Sequence, residues 1–349
     1  MVEIYGTLGP ACADRDTLEQ MFRAGLTGMR LNLSHTGLAE SGALVENFRQ
    51  AAAVFGVIPQ LLIDMQGPEL RIGRLSEPVE LHNEDMVVLC GGKSSGKEQG
   101  KRGDKVHWST IPIPLAAVNA MEAGDEVLLD DGKVLLRVLT CGDTCVQAKV
   151  LRGGRLTGHK SVKITGKQVE LPVLTEHDKA NLSLAKAYGV TGLMQPFVRS
   201  GKDLVQVRQA LKECGAEQVQ ILAKIETKAA ADNIKDILQE ADVIVIARGD
   251  LGNDMPLWEL PAVQKDIERA CLQAGKPFIV VTQMLASMEV NPVPTRAEVS
   301  DIFNAVADGA SGVMITGESA VGRYPVEAVR FLANTAHSAK KWMEKSYEY

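Results

Sequence analysis

Short apolar runs of strand length alternate with amphipathic stretches of helical length along most of this chain. The first run, 4–7, is ended by Gly9-Pro10. A helix is expected from Asp16, with Glu19 three residues on as a capping box. Leu18, Met21 and Phe22 form its apolar face, and Gly25 stops it. A second run at 29–33, a helix over 43–54 and a third run at 60–64 follow. From Leu174 the same alternation returns, with strands expected at 190–195, 219–225, 243–247, 278–282 and 312–315. Helices are expected between them, for example over 203–214 and 262–274.

Between these two stretches the texture differs. Residues 70–170 hold Gly91-Gly92, Gly153-Gly154, many valines and alternating segments such as 126–129 and 134–138, split by the turn Asp130-Asp131-Gly132. Pro112 and Pro114 interrupt the middle, and 91–104 reads as a glycine- and lysine-rich loop. The expected organisation is a barrel domain over 1–69 and 171–349, carrying a small all-β insertion over 70–170. Three strands before the insertion and five after it give the strand count of an α/β fold of the (β/α)8 TIM-barrel class. An open doubly wound sheet ranks lower, because no Gly-x-Gly-x-x-Gly follows the first strand.

Composition narrows the function. The 349 residues are 45% hydrophobic and 23% charged, with net charge −6, so a general basic face for nucleic acid is not expected. No basic start with an apolar core opens the chain, and no apolar run approaches the ~20 residues of a membrane span. A soluble cytoplasmic location is expected. Six cysteines are spread through the chain, and Cys141 and Cys145 read as thiols on one face of a strand pair rather than a zinc site.

In a barrel of this class the site forms at the C-terminal ends of the strands. Polar residues collect there: Thr7; Arg30, Asn32 and Ser34; Asp64; Lys224 and Glu226; Arg248 and Asp250; Thr282 and Gln283; Thr316 and Glu318. Any one of them is explained equally well by a solvated loop, and the coincidence across strands carries the argument. Glu226 and Asp250 end successive strands, at a spacing where two carboxylates repel unless a cation lies between them. Lys224, two residues before Glu226, shares its side of the strand. A structural Lys–Glu–Asp network is the competing reading.

The motifs now become specific. Ala223-Lys224-Ile225-Glu226 and Ile246-Ala247-Arg248-Gly249-Asp250-Leu251-Gly252 resemble the lysine–metal and second metal motifs of the pyruvate kinase family. Thr282-Gln283-Met284-Leu285-Ala286-Ser287-Met288 and Pro294-Thr295-Arg296-Ala297-Glu298 resemble its later signatures. Thr7-Leu8-Gly9-Pro10-Ala11, Arg30-Leu31-Asn32-Leu33-Ser34-His35 and Asp64-Met65-Gln66-Gly67-Pro68-Glu69-Leu70-Arg71 resemble the earlier ones. The resemblance implies phosphoryl transfer from phosphoenolpyruvate to ADP. It implies Mg²⁺ or Mn²⁺ on Glu226 and Asp250, and K⁺ held by Asn32, Ser34, Asp64 and the Met65 carbonyl. Lys224, Thr282 and Arg30 would be catalytic: Lys224 facing the phosphoryl group and enolate, Thr282 helping to deliver a proton, Arg30 contacting phosphate. The amides of Gly249 and Asp250 would receive the substrate carboxylate. Asn32, His35, Arg71 and Lys160 would contact the nucleotide, and the insertion would close as a lid.

Departures from the family pattern carry their own expectations. Gln195-Pro196-Phe197 stands where Ala-Ser-Phe is usual, which removes a hydroxyl near the substrate phosphate; Thr316-Gly317-Glu318-Ser319 keeps the hydroxyls of Ser-Gly-Glu-Thr. Glu69 matches K⁺-dependent members, whereas Gln66 and Ile72 resemble members that do without K⁺; the expectation is K⁺ dependence. The family's C-terminal regulatory domain is expected to be absent, with a homodimer through the barrel possible. Two other classes remain in play: a metal-dependent lyase or aldolase acting on pyruvate-like acids, and a non-catalytic binder of phosphometabolites.

Overall fold

The computed structural model describes residues 2–34, 36–68, 70–91, 109–130, 132–167, 169 and 171–346. The chain divides into two compact units, Met1–Gly67 with Val173–Tyr349, and Pro68–Pro172.

In the first unit, β1 (Glu3–Thr7), β2 (Gly28–Asn32) and β3 (Gln60–Asp64) come first. The second unit contributes β4 (Val79–Leu81), β5 (Met86–Gly91), β6 (Ser109–Ile113), β7 (Glu126–Leu129), β8 (Val134–Cys141), β9 (Cys145–Arg152), β10 (Gly154–Leu156) and β11 (Val162–Ile164). The first unit then resumes with β12 (Gly192–Gln195), β13 (Gln220–Ile225), β14 (Val243–Ala247), β15 (Phe278–Val281) and β16 (Gly312–Met314). Its eight strands close into a parallel barrel in the order β1-β16-β15-β14-β13-β12-β3-β2, with helices between them in sequence.

Alternation sorts the barrel side chains. Tyr5, Leu62, Leu222, Val243, Val245, Ile279 and Met314 pack together inside the barrel, while Ile4, Leu61, Ile63, Ala223, Ile225, Ile244 and Ile246 join the layer beneath the helices. Because period 2 continues along each strand, Thr7 follows Tyr5 inward, Asp64 follows Leu62, and Lys224 follows Leu222. The register sets Thr7 beside Arg30 and Asn32 beside Asp64. The barrel interior is therefore apolar along its length and charged at the C-terminal end.

The second unit has its own core, including Val87, Leu89, Ile111, Val127, Leu136, Val146 and Val150. Its described residues form a six-stranded sheet, order β11-β7-β8-β9-β5-β6, and a two-stranded ribbon of β10 and β4. Pro112 lies within β6 without breaking it. β6 is an edge strand, where the missing N–H costs no ladder bond on the open side. Most of the segment expected as a loop over 91–104, and Asp131 of the expected turn, lie outside the described residues.

Two local expectations need correction. The first helix runs Arg15–Arg23 and is capped by Asp14, whose carboxylate accepts from the Thr17 amide, so Asp16 lies inside the first turn instead of starting the helix. Cys141 sits opposite Val146, which turns the adjacent Cys145 to the other face of the ribbon. There Cys145 faces Cys90 across β5 and β9, and the two form a disulfide. Pairing between residues 55 apart is invisible to local spacing.

Capping boxes do occur later, at Thr175 with Asp178 and at Thr295 with Glu298. The Glu298 carboxylate also accepts from the Ser287 amide and hydroxyl, at 2.8 and 2.6 Å. Burial raises its carboxyl, but the bonds from Ser287 and Thr295 outweigh that and hold it below the usual glutamate range. A depressed acid stabilises the fold above its ordinary range and loses that advantage as pH falls. Glu298→Gln should therefore lower unfolding stability by about 1–2 kcal/mol at neutral pH. Denaturant unfolding followed downward through pH ~4 should show the gap to wild type closing; a constant gap would mean the carboxylate charge is irrelevant there.

Candidate active site

The charged end of the barrel is built from the neighbouring strands β2 and β3 and from β13, which lies beyond β12 in the barrel order. Arg30 on β2 donates from Nε to Asp64 Oδ2 at 2.8 Å and from Nη2 at 2.7 Å. Lys224 on β13 lies 3.3 Å from Asp64 Oδ1 and 2.7 Å from Glu226 Oε1. The side chains of Asp64 and Glu226 are almost entirely removed from solvent, at 3% and 2% exposure, so charge inside this cluster must be compensated locally.

Burial would strip the proton from Lys224, but the carboxylates of Asp64 and Glu226 reverse this and hold the ammonium well above the usual lysine range. Burial also works against ionisation of Asp64, yet Lys224 and Arg30 together keep its carboxyl below the usual range. Glu226 goes the other way. Burial raises it, Lys224 opposes, and the nearby charge of Asp250 raises it again. Glu226 Oε2 accepts from the Phe197 amide at 2.8 Å. Its Oε1 is buried and, although close to Lys224, has no aligned hydrogen bond.

Asp250 opens from the short helix Arg248–Asn253 that directly follows β14, and β14 is hydrogen-bonded to β13. The two strands are thus neighbours, while Asp250 sits in the helix that follows β14 and not at the strand's end. Gly249 lies against Thr282, and a Cβ there would come within 2.9 Å of the threonine methyl. Thr282 and Gln283 both take positive φ, 79° and 55°, immediately after β15. The strand expected through Thr282 ends at Val281 for this reason.

A family model for the pyruvate kinase barrel domain matches residues 1–329. The chain belongs to this family. It is similar to the pyruvate kinase of Bacillus licheniformis, 36% identical over 342 residues that cover 97% of this chain and 57% of that protein. It is similar to that of Geobacillus stearothermophilus, 36% identical over 345 residues, 98% and 57%. With that of Debaryomyces hansenii it shares 36% identity over 343 residues, 97% and 66%. The chain spans a little over half the length of the bacterial relatives.

For a pyruvate kinase barrel domain, the remaining residues of interest fall as follows. Asn32 accepts the Ser34 amide at 3.1 Å, and Met65 follows Asp64 with its amide bonded to the Met194 carbonyl. Arg71 and Lys160 both belong to the inserted unit, where Arg71 bridges to Ser161 and Lys160 pairs with Asp130 at 3.0 Å. His35 and Glu69 lie outside the described residues. Among the described residues no helix is long and apolar enough to cross a membrane.

Asp178 was not singled out by sequence, and Gln195 and Pro196, noted there only as a departure from the family pattern, make contacts that the sequence does not show. Asp178 accepts from the amides of Gln66 and Gly67, pinning the chain as it leaves β3; the capping-box spacing Thr175-x-x-Asp178 was its only signal. Pro196 packs on Gly67, where a Cβ would lie 2.5 Å from the proline ring. Gln195 donates to the carbonyls of Val173 and Pro196.

Removing one member of a buried charge cluster leaves the others uncompensated. Asp64→Asn should lower unfolding free energy by about 3–5 kcal/mol at neutral pH. A loss below ~1 kcal/mol, the scale of a surface pair, would show that water already compensates the cluster.

Proposed function

We propose that this chain transfers the phosphoryl group of phosphoenolpyruvate to ADP, yielding pyruvate and ATP. The observation that supports it most is the buried Lys224 ammonium, held charged between Asp64 and Glu226 beside the Arg30 guanidinium. Two fixed cations at the mouth of a barrel suit a trianionic phosphate ester. Lys224 is kept charged by the buried carboxylates and Arg30 is held in place by Asp64, so their field needs no reorganisation when charge moves.

The residues present fit a divalent cation. Glu226 Oε1 is a buried acceptor without an aligned donor, and the charge of Asp250 raises the Glu226 carboxyl, as two acids sharing a site do. Hard carboxylate oxygens in this number suit Mg²⁺ or Mn²⁺, which complete their shells with water and substrate. When bound, the cation supplies positive charge to the carboxylate and enolate oxygens of the substrate.

The chain's own residues would do the following. Arg30 binds the phosphate and aligns it. Lys224 stabilises charge on the transferring phosphoryl group and on the enolate left behind. The amides at Gly249 and Asp250 receive the substrate carboxylate. Thr282 holds the water that protonates the enolate carbon, since a neutral hydroxyl alone is a weak acid. Asn32, Ser34, Asp64 and the Met65 carbonyl form the K⁺ site, and Asn32, His35, Arg71 and Lys160 contact the nucleotide.

Pyruvate release from phosphoenolpyruvate and ADP tests this directly. Turnover is expected with Mg²⁺ and K⁺ together, and little with either alone. Lys224→Met should lower kcat by about 10²–10³-fold, the scale for removing a group that stabilises transition-state charge. A folded, cation-binding protein without turnover would favour the lyase or binding reading, and unchanged kcat in Lys224→Met would remove the lysine from its role.

A further inference from the structure

One ion pair lies directly behind the Thr282 backbone. Arg248 donates from Nε and Nη2 to the Thr282 carbonyl, at 3.2 and 2.8 Å. Its Nη1 reaches both oxygens of Asp301, at 2.9 and 2.7 Å. The arginine side chain is only 11% exposed, so this geometry is not a solvated surface contact.

The carbonyl it grips belongs to an unfavourable turn. Thr282 and Gln283 are consecutive non-glycine residues with positive φ, and threonine is β-branched. Such a conformation is costly and persists only where the surroundings impose it. A planar guanidinium with two parallel donors fixes both the position and the orientation of one carbonyl, which a lysine cannot do. Asp301 sits on the helix Arg296–Ala307, and Glu298 of that helix holds Ser287 further along the same segment. One helix therefore grips the segment after β15 at two points.

We propose that Arg248 and Asp301 form a backbone clamp that positions the Thr282 hydroxyl. The inference rests on the role given to Thr282 under the proposed function. Arg248 and Asp250 are two residues apart, with Gly249 pressed on the Thr282 methyl between them. The clamp thus fixes the threonine relative to the carboxylate that would hold the cation. Neither Arg248 nor Asp301 touches substrate in this account; both act through the backbone of Thr282. Small misplacements of a reacting group cost large factors in rate, so the clamp acts on kcat.

The test compares wild type with Arg248→Lys, Asp301→Asn and the double variant, all in the full chain. Arg248→Lys should lower kcat about 10²-fold and Asp301→Asn about 10-fold, with KM for phosphoenolpyruvate moving less than about threefold. The double variant should be no worse than Arg248→Lys, because both changes undo one device. Amide hydrogen exchange at Gln283 and Met284 should quicken about 10-fold or more in both single variants while β14 amides hold their rates. A kcat within about twofold of wild type, a rise in KM that matches the fall in kcat, or unchanged exchange at Gln283 and Met284 would each overturn the clamp. If Arg248→Lys fails to fold, Asp301→Asn at its partly exposed site carries both readings. If wild type itself makes no pyruvate, the phosphoryl-transfer reading fails on its own, and the exchange comparison still decides whether the clamp exists.

Discussion

Charge buried in a protein interior must be neutralised on the spot, and the barrel of this chain is organised around that requirement. Arg30 and Lys224 place two cations at the end of the barrel, and Asp64 and Glu226 place two anions among them. Asp64 and Lys224 keep their charges in this buried setting only through their neighbours. Burial alone would neutralise the acids and the lysine; their mutual field overcomes this for Asp64 and Lys224 and leaves Glu226 as the one acid still pushed upward. The site is therefore balanced within the quartet, with the additional charge of Asp250 at its edge.

The fold supplies that balance through register. Closure of eight parallel strands turns every second residue inward, so an apolar layer of Tyr5, Leu62 and Leu222 is followed by Thr7, Asp64 and Lys224. A one-residue slip in β3 or β13 would send the charged residue to the helix-facing layer and an aliphatic one to the site. The outer layer resists such a slip, because Ile63, Ala223 and Ile225 fill it tightly. Packing on one face thus enforces chemistry on the other.

Much of this was legible in sequence for a physical reason. Barrel strands are short, bounded by turn residues and buried on both faces, so 243–247 and 60–64 stand out as apolar runs and match β14 and β3 in full. The polar residues at their ends are legible because they break the run. What stayed hidden depends on partners distant in sequence. Cys145 gives no hint of Cys90, and the left-handed turn at Thr282 contains no glycine and has its carbonyl bonded by Arg248 from another strand's end. The grip of Phe197 on Glu226 uses a backbone amide, which has no sequence signature at all. Asp14 against Asp16 as the first helix cap is a subtler case, since either aspartate suits the role and only the Thr17 amide distinguishes them.

Closure of the barrel also orders events in time. β1 is not complete until β16 pairs with it and the Ser319 hydroxyl bonds the Thr7 amide, 312 residues later. During synthesis Arg30 and Asp64 leave the ribosome well before Lys224, and at 5–20 residues per second the interval is on the order of ten seconds. In that interval the inserted unit, Pro68–Pro172, emerges with all the partners of its own core. The nascent chain thus carries the inserted unit complete while the first three barrel strands still lack the cation that completes their charge, so the barrel, and with it the site, closes after the unit inserted into it.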